Sequence, residues 1–425
     1  MQIVTLRDLE FENFANKHEY RNIYQTVEYA RVMKSIGFNT HFIGIKEDNV
    51  LIGASLIVYK EIYKGKKLAY APRGILFDYT DKEKTIELGK AIKRLFKKQG
   101  FMIFRIDPYI PATIRDRNGK QINVNKDINN IMINIKSAGF KYKGQNKYFE
   151  NEMPRFEGIK LTNENTNDMY NKLDKRIRHK INRASSCGIT ILKDEKKKTD
   201  ELYEFVKGKN IYSKKYLQAI ADNFKTSTLY YALLNTDSFV IEAKRRYEKE
   251  EEINNELANK IQNQKLSPNA RTKILNKKMN SDKLIDTYKN DLVLATELLR
   301  KYPRGLIIGG CLTVEYDNAS FMIIDGYNKE LGHLNANYLT RWYILDDLQN
   351  RGISYFNMNA ISGNFTNKNP YKNLNESKLD YDITVAEYIG EFDLILNKLS
   401  YFMYKKFNKE NNYKIKNDLA GSETK

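Results

Sequence analysis

Cysteine, proline, histidine and tryptophan are all scarce in this chain of 425 residues. Its two cysteines, Cys187 and Cys311, cannot form the disulfide framework of a secreted domain or a zinc cluster. We therefore expect a reducing, cytoplasmic setting. Seven prolines and no long Ser/Gly tract leave little room for disordered linkers. At this length, two or three packed domains are expected.

Several common catalytic and nucleotide-binding motifs are absent as well. The sequence has neither GxxxxGKS/T nor GxGxxG, which excludes the standard phosphate-binding loops. Its four histidines have no ligand spacing and there is no HExxH, so we predict no metal site. The GxSxG signature of serine hydrolases is missing. The acetyltransferase loop Q/R-x-x-G-x-G/A is matched best at 155–160, which fails at its last position, so coenzyme A is not the expected donor.

No segment has the pattern of a targeting or membrane-spanning sequence. The first residues, MQIVTLRDLEFENF, carry acids where a signal peptide needs an apolar run. No apolar stretch approaches the ~20 residues of a membrane span. We expect a soluble protein that can visit a membrane surface.

Positive charge is in excess and is distributed along the whole chain. There are 72 Lys and Arg against 53 Asp and Glu, a net charge of +19, which attracts anionic partners. The densest stretch is LDKRIRHKINRASSCG, residues 173–188, where Asp174 is the one acid. A solvated helix face normally carries both signs. This segment therefore predicts a polyanionic partner, which is nucleic acid, anionic lipid or a pyrophosphate.

The apolar pattern repeats in two parts of the chain. Residues 41–60 and 305–325 each predict a β-hairpin, with Asp-Asn at the turn. Each is followed by an amphipathic helix, a glycine and a buried strand, at 87–108 and 337–360. Setting Gly100 on Gly352 aligns these two later segments. The repeat predicts a duplicated α/β domain of mixed sheets with flanking helices.

Residues 239–302 have a different texture, with alternating acids and bases and two apolar stripes separated at Ser267-Pro268-Asn269. This pattern predicts an antiparallel helical arm of coiled-coil type that is dispensable for either core. We assign residues 1–150 and 376–425 to the first domain, and 151–238 and 303–375 to the second. Residues 385–407 have helical apolar spacing interrupted at Gly390 and are expected to pack on the body.

Three segments carry a resemblance to a known family. They are YAPRGILFDY (70–79), IDPYIP (106–111), and YKNLN (371–375) followed by YIGEFDLILNK (388–398). In this order they resemble the Fem family of peptidoglycan-bridge aminoacyltransferases. The resemblance implies tandem acetyltransferase-like (GNAT) domains that do not use acetyl-CoA. It also implies transfer of an amino acid from aminoacyl-tRNA, a co-substrate, to an amine of a cell-wall precursor, with no separate cofactor.

The resemblance also indicates partners. Family members that act on lipid II have a coiled-coil insert in the second domain, so the arm favours lipid II and peripheral contact with the inner membrane surface. Association with a second copy or a sister enzyme through the arm is a further expectation. Two alternatives remain open from the sequence: the same chemistry with a protein or lipid acceptor, and a non-catalytic protein that binds tRNA or membrane.

The chemistry implied by the resemblance is aminolysis of an ester, which needs a positioned cation rather than an enzyme nucleophile. Lys372 is the candidate for this cation, with Lys368 as the alternative alignment. Asp107, with Tyr109 beside it, is the candidate for holding the acceptor or its amine. Tyr371 either stacks on the terminal adenine of tRNA or fills the core.

Three further positions are candidates for binding the substrate. Lys34 aligns with a lysine that meets the precursor's pyrophosphate in the family. Arg73, between Pro72 and Gly74, either bridges domains or binds phosphate. In the basic segment, Arg176 or Arg183 binds the pyrophosphate, and the outer bases meet tRNA phosphates or anionic lipid.

Overall fold

Two mixed β-sheets with flanking helices form the body of the protein, and a long pair of helices is inserted in its second half. The computed structural model describes residues 1–63, 65–146, 148–150, 152–209, 213–262, 267–404 and 406. In chain order the strands are β1 (Gln2–Thr5), β2 (Asn39–Glu47), β3 (Val50–Tyr63), β4 (Lys66–Ala71), β5 (Phe101–Ile106), β6 (Pro111–Arg115), β7 (Gln121–Val124), β8 (Phe140–Tyr142), β9 (Phe156–Leu161), β10 (Ile189–Lys193), β11 (Ser227–Leu234), β12 (Leu306–Tyr316), β13 (Ala319–Tyr327), β14 (Tyr355–Ala360), β15 (Thr384–Tyr388) and β16 (Phe392–Ile395).

The helices lie mostly between the strands. They are α1 (Asp8–Ala15), α2 (Val27–Ser35), α3 (Lys82–Lys98), α4 (Ile128–Ser137), α5 (Thr166–Lys172), α6 (Lys175–Ser186), α7 (Asp200–Val206), α8 (Lys214–Asn223), α9 (Thr236–Gln262), α10 (Pro268–Lys301), α11 (Ala336–Asn350) and α12 (Lys372–Leu379), with 3₁₀ turns at Lys207–Lys209 and Gly332–Leu334. In the part of the chain that the structure describes, none of these helices is long and apolar enough to cross a membrane.

The first sheet has the strand order β1-β2-β3-β4-β5-β16-β8. Strands β1 to β4 are antiparallel neighbours, and β5 runs parallel to β4 after the crossover through α3. Every residue of β5 is buried, which explains why it is apolar except at Arg105, whose guanidinium pairs with Asp393. The predicted turn between β2 and β3 is present, with both Asp48 and Asn49 at positive φ, as tight hairpins require.

The second sheet repeats this pattern in the order β10-β11-β12-β13-β14-β9-β15-β6-β7. Strands β10 to β13 are antiparallel, and β14 runs parallel to β13 after α11. Phe104 in β5 and Phe356 in β14 are both fully buried, in line with the alignment of Gly100 with Gly352. The predicted duplication and the tandem acetyltransferase-like architecture are confirmed.

The pairing of the two hairpins was wrong by one strand. Residues 41–60 form most of β2 and β3, whose counterparts in the second sheet are β11 and β12, whereas 305–325 forms β12 and β13. Both hairpins have an Asp-Asn turn, so the sequence does not distinguish them. The correct correspondence shows where the arm is inserted: the β2–β3 connection is a two-residue turn, and the β11–β12 connection contains α9 and α10.

The two halves exchange strands, which differs from our domain assignment at two places. Strands β6 and β7, within the residues assigned to the first domain, join the second sheet. Of the C-terminal strands, β16 joins the first sheet and β15 the second. Gly390, with φ of +88°, lies between them and allows the chain to turn from one sheet to the other. The helical spacing predicted from residue 385 onward was wrong up to β16, because strands buried on both faces have continuous apolar runs.

The residues predicted to form the arm fold as two antiparallel helices, α9 and α10, and their coiled-coil packing stays a prediction. Two hydrogen bonds join the two sides of the arm. At the base, Thr236 Oγ1 donates to the carbonyl of Tyr302 at 2.8 Å, and further out Ser281 Oγ donates to Glu250 at 2.6 Å. The expectation that the arm adds little to either core was wrong at its base. Phe239 and Ala295 are buried in one apolar cluster with Ile189 of β10, because α9 starts and α10 ends against the second sheet.

Candidate active site

A buried ionic cluster joins the two halves of the protein. The Arg73 guanidinium donates from Nη2 to Glu157 Oε1 in β9 at 2.5 Å, and its Nη1 lies 3.9 Å from Asp107 Oδ2 at the end of β5. The backbone amide of Arg73 donates to Asp107 Oδ1 at 2.7 Å. Only 2% of the side chains of Arg73 and Asp107 is exposed. Arg73 therefore bridges the domains, one of its two predicted roles, and has no open path to a phosphate.

Aromatic side chains enclose this cluster. The rings of Tyr109 and Tyr388 stack at 4.6 Å, and the Arg73 guanidinium lies 4.6 Å from the centre of the Tyr388 ring. Asn357 in β14 donates to Glu157 Oε2 at 2.7 Å and to the Tyr109 hydroxyl at 3.3 Å. Tyr109 is thus fixed by packing and hydrogen bonding at the junction of the two sheets.

The charges of the cluster do not balance if both of its carboxylates are ionised. Burial raises the pKa of Asp107 to about 8, although the Arg73 guanidinium and hydrogen bonds from Arg73 and Tyr70 oppose this rise. Burial also opposes the charge on Arg73, but Glu157 and Asp107 outweigh it and raise the pKa of the guanidinium. One guanidinium paired with Glu157 and a protonated Asp107 gives a neutral site, which is the arrangement that a low dielectric favours.

An open cleft of about 340 Å³ lies against the second sheet. It contains Lys372 at the start of α12, Arg176 on α6, and Arg117 from the β6–β7 turn. About 45% of the Lys372 side chain and 63% of the Arg176 side chain is exposed. A ligand in the cleft can therefore contact two of the predicted residues. The third cation, Arg117, lies there because β6 and β7 join the second sheet.

Asparagines hold the loop that leads into α12. The Asn375 side chain accepts from the amide of Ser362 at 2.8 Å and donates to its carbonyl at 3.0 Å. Asn369 accepts from the amide of Tyr371 at 2.9 Å and donates to the carbonyl of Asn364 at 2.6 Å. These short polar side chains replace backbone partners in an irregular segment, which explains why the sequence here is rich in Asn. They fix the position of Lys372.

In the wall of the cleft, Asp380 holds α6 and α11 together with α12. It accepts from Arg176 Nη2 at 3.2 Å and from the Tyr338 hydroxyl at 3.2 Å. Lys180 Nζ donates to the same hydroxyl at 2.7 Å. Burial raises the pKa of Asp380 and lowers the pKa of Lys180. The basic segment therefore has two faces: Arg176 and Lys180 take part in this hydrogen-bond network, and other bases are exposed to solvent.

The structure separates the two arginines between which the sequence could not choose. Arg176 lines the cleft, whereas Arg183 faces the arm, where its Nη2 lies 3.3 Å from Asp291 of α10. Asp291 also lies 3.4 Å from His333 Nε2. Arg183 thus joins α6 to the base of the arm, which leaves Arg176 as the better candidate for an anion.

The remaining predicted residues have different surroundings. Tyr371 is 4% exposed and packs edge-on against Tyr148 and Phe149, so it fills the core rather than offering a stacking surface. Lys368 is exposed on the loop before α12. Lys34 is exposed near the end of α2, on the first half, away from the cleft of Lys372. The two predicted catalytic residues do not meet in one groove: Asp107 is buried in the ionic cluster and Lys372 lies at the open cleft.

Sequence reasoning overlooked several residues of both places. Glu157 and Tyr388 complete the buried cluster, and Arg117 and Asp380 line the cleft. The one signal that could have pointed to Glu157 is its place in the short strand β9, where it is the only acid. No local pattern marks Arg117, because only the strand exchange brings it there. Within the described residues, no group of three or more His, Cys, Asp or Glu side chains is arranged to hold a metal ion.

Comparison with known proteins gives a consistent result along the chain. The sequence profile of the FemAB family matches residues 6–409. Aminoacyltransferase FemA of Staphylococcus epidermidis is 24% identical over 428 residues, covering 96% of this chain and 99% of its own. Aminoacyltransferase FemA of Staphylococcus aureus is 22% identical over 417 residues, covering 95% of this chain and 97% of its own.

The fold is that of a solved member of the same group. A crystal structure of FemX superposes with a TM-score of 0.68 at 19% identity, covering 95% of this chain and 99% of that one. The predicted resemblance and enzyme class are confirmed. The chain therefore belongs to the FemAB family, as an aminoacyltransferase.

Proposed function

We propose that the protein transfers an amino acid from aminoacyl-tRNA to an amine on the stem peptide, or growing bridge, of a lipid II-linked peptidoglycan precursor at the cytoplasmic membrane face. The observation that carries the proposal is the open cleft, where Lys372 and Arg176 are exposed side by side in a chain of this family. The inserted arm supports the lipid-linked acceptor, and the net charge of +19 supports tRNA as the donor.

The reaction requires few groups from the enzyme. The neutral acceptor amine attacks the carbonyl carbon of the aminoacyl ester, a C–N bond forms, and negative charge develops on the carbonyl oxygen. The C–O bond to the ribose then breaks, and the amine proton is transferred to the leaving ribose oxygen. In this scheme the Lys372 ammonium, held by the Asn-rich loop, stabilises the oxyanion.

Arg176 is assigned to the precursor's pyrophosphate. Its side chain is largely exposed and forms an ion pair with Asp380, whose longer contact is 3.5 Å. A guanidinium matches two phosphate oxygens better than an ammonium does. Lys34 lies elsewhere on the surface, so a ligand that meets both residues would have to be extended. Asp107 and Tyr109 act in this scheme by holding the junction of the domains.

The direct test is a mixture of charged tRNAs incubated with the enzyme and lipid II, followed by mass spectrometry of the product. A mass increment of one aminoacyl residue on lipid II is expected, and its value identifies the amino acid. A parallel reaction with the soluble UDP-linked precursor distinguishes the two acceptors. Increments on a protein or lipid headgroup alone would support the other acceptor class, and no transfer from any tRNA would refute the enzymatic function proposed here.

A further inference from the structure

The cleft has as many carboxylates as cations. Each cation faces an acid: Arg117 Nη1 lies 3.5 Å from Asp174, Arg176 Nη2 3.2 Å from Asp380, and Lys372 Nζ 3.6 Å from Glu376. These six are the charged groups that line the cleft within the described part of the chain. A groove that bound polyanions alone would carry an excess of bases. This balance, in a chain with a net charge of +19, leaves a carboxylate for a positively charged group of a ligand, beside the anion assigned to Arg176.

Lys378 in the last turn of α12 is favourably placed, but another row of charges is arranged against the stability of the helix. Lys372 is its first residue and Asp380 its C-cap, with Glu376 between them at four-residue spacing. The helix dipole favours acids at the first turn and bases at the last. A Lys-to-Glu order at this spacing is also the weaker orientation of such a pair. Local rules are broken where function requires it, so this row of charges points to a ligand.

Glu376 is the carboxylate of the row that remains available. Its side chain is 43% exposed, and the 3.6 Å to Lys372 Nζ exceeds the 2.7–3.2 Å of a good hydrogen bond. Asp380, by contrast, already accepts from Arg176 and Tyr338 and is largely buried. Asp174 lies beside Arg117, at the start of α6.

We propose that Glu376 binds the α-ammonium group of the amino acid on the donor, while Lys372 faces the ester carbonyl oxygen. The inference rests on the proposed function and names the group that the donor presents to α12. In an aminoacyl ester the ammonium lies on the carbon next to the carbonyl. Side chains one helical turn apart are about 5–6 Å apart at Cβ, so a flexible Lys and Glu reach the carbonyl oxygen and the ammonium of one aminoacyl group. Glu376 thereby selects donors with a free α-amine and orients the carbonyl.

The test compares two donors on one tRNA: the aminoacyl ester and the α-hydroxyacyl ester obtained by replacing its amine with a hydroxyl. Each is assayed for kcat/KM at one pH with the wild type, Glu376→Gln and Glu248→Gln. Glu248 is a matched control because it forms the same exposed Lys-to-Glu pair with Lys244, at 3.7 Å, on the arm. Intrinsic ester reactivity is the same for every variant, so the change in the ratio of the two donors reports the contact.

We expect Glu376→Gln to lose roughly tenfold in kcat/KM with the aminoacyl donor, the size of one charged hydrogen bond in a half-exposed site, and to keep the wild-type value with the hydroxyacyl donor. Glu248→Gln keeps the wild-type ratio. An unchanged ratio in Glu376→Gln, whether both donors slow equally or neither slows, overturns the assignment while transfer by the wild type upholds the proposed function. If the wild type transfers neither acyl group, the proposed function fails and this inference falls with it.

Discussion

The ionic cluster around Arg73 and the cleft around Lys372 use the same kinds of residues with opposite exposure to water. In the cluster, an arginine and two carboxylates are almost fully buried between the two sheets. In the cleft, three cations and three carboxylates are paired at the surface of a cavity open to solvent. An isolated charge is costly only in the first environment. The comparison therefore predicts that the cluster controls folding and domain docking, whereas the cleft controls chemistry.

Removal of the buried guanidinium should have the largest effect on stability. Arg73→Met leaves the Glu157 carboxylate buried without its cation, so we expect the free energy of unfolding to fall by about 3–5 kcal/mol. Arg176→Met, which breaks an exposed pair, should change it by no more than about 1 kcal/mol. Denaturant titrations of both variants provide the measurement. Equal losses in the two would contradict the distinction between the cluster and the cleft.

Removal of the Lys372 ammonium should affect turnover instead. Lys372→Met keeps most of the stem and removes the charge, so kcat should fall by roughly two to three orders of magnitude, the cost of losing one oxyanion donor. KM for tRNA should change little, because many phosphate contacts set that affinity. Lys368→Met is the control. A loss of kcat in Lys368→Met alone would move the role to that residue, and normal turnover in both would rule out lysine-assisted aminolysis.

The pH dependence of stability should distinguish the buried cluster further. Because the pKa of Asp107 is raised to about 8 in the folded state from an ordinary 3.8, the native protein holds a proton that the unfolded chain releases between these values. Stability contributed by this proton is present at low pH and is lost as pH rises towards 8, by at most about 1.4 kcal/mol per pH unit. Asp107→Asn should remove that component. Unfolding free energies of the two proteins, compared from pH 5 to 9, test this, and parallel curves would show that Asp107 is ionised throughout.

The smallest effect should distinguish the two arginines of α6. Arg176→Lys loses the paired donors of the guanidinium, so KM for lipid II should rise roughly tenfold. Arg183 lies at the base of the arm, against Asp291, so Arg183→Lys should leave the KM for lipid II unchanged. Steady-state kinetics with lipid II measure both. A rise in KM confined to Arg183→Lys would place the pyrophosphate beside the arm instead of in the cleft.

Much of the fold followed from the sequence because it depends on local patterns. The hairpin turns, the helices, the buried strands and the helical arm are each encoded by neighbouring residues and by apolar periodicity. The duplication was visible because two copies have the same order of elements. We aligned the two hairpins one strand out of step because both have an Asp-Asn turn. Neither segment shows by itself which strands it pairs with.

The candidate site was predictable only in part. The Fem-like segments pointed to Arg73, Asp107 and Lys372, but they did not show that the first two are buried in one place and the third is exposed in another. They also did not reveal Glu157 or Arg117. Both depend on segments that are far apart in sequence: Arg73 after β4 contacts Glu157 in β9, and the β6–β7 turn lines the same cleft as α12.

The sequence by itself determined the secondary-structure elements and the excess of positive charge. It also determined which side-chain groups are available for an acyl transfer that uses no enzyme nucleophile. Only the tertiary structure decided which of these side chains are buried away from solvent. Exchange of β6, β7 and β16 between the halves brings distant residues to shared sheets, and the burial that results turns Arg73 into a domain bridge, raises the pKa of Asp107 and leaves Lys372 in contact with solvent. Burial is a property of the packed chain rather than of any segment, which is why a residue's type and neighbours in sequence could not reveal it.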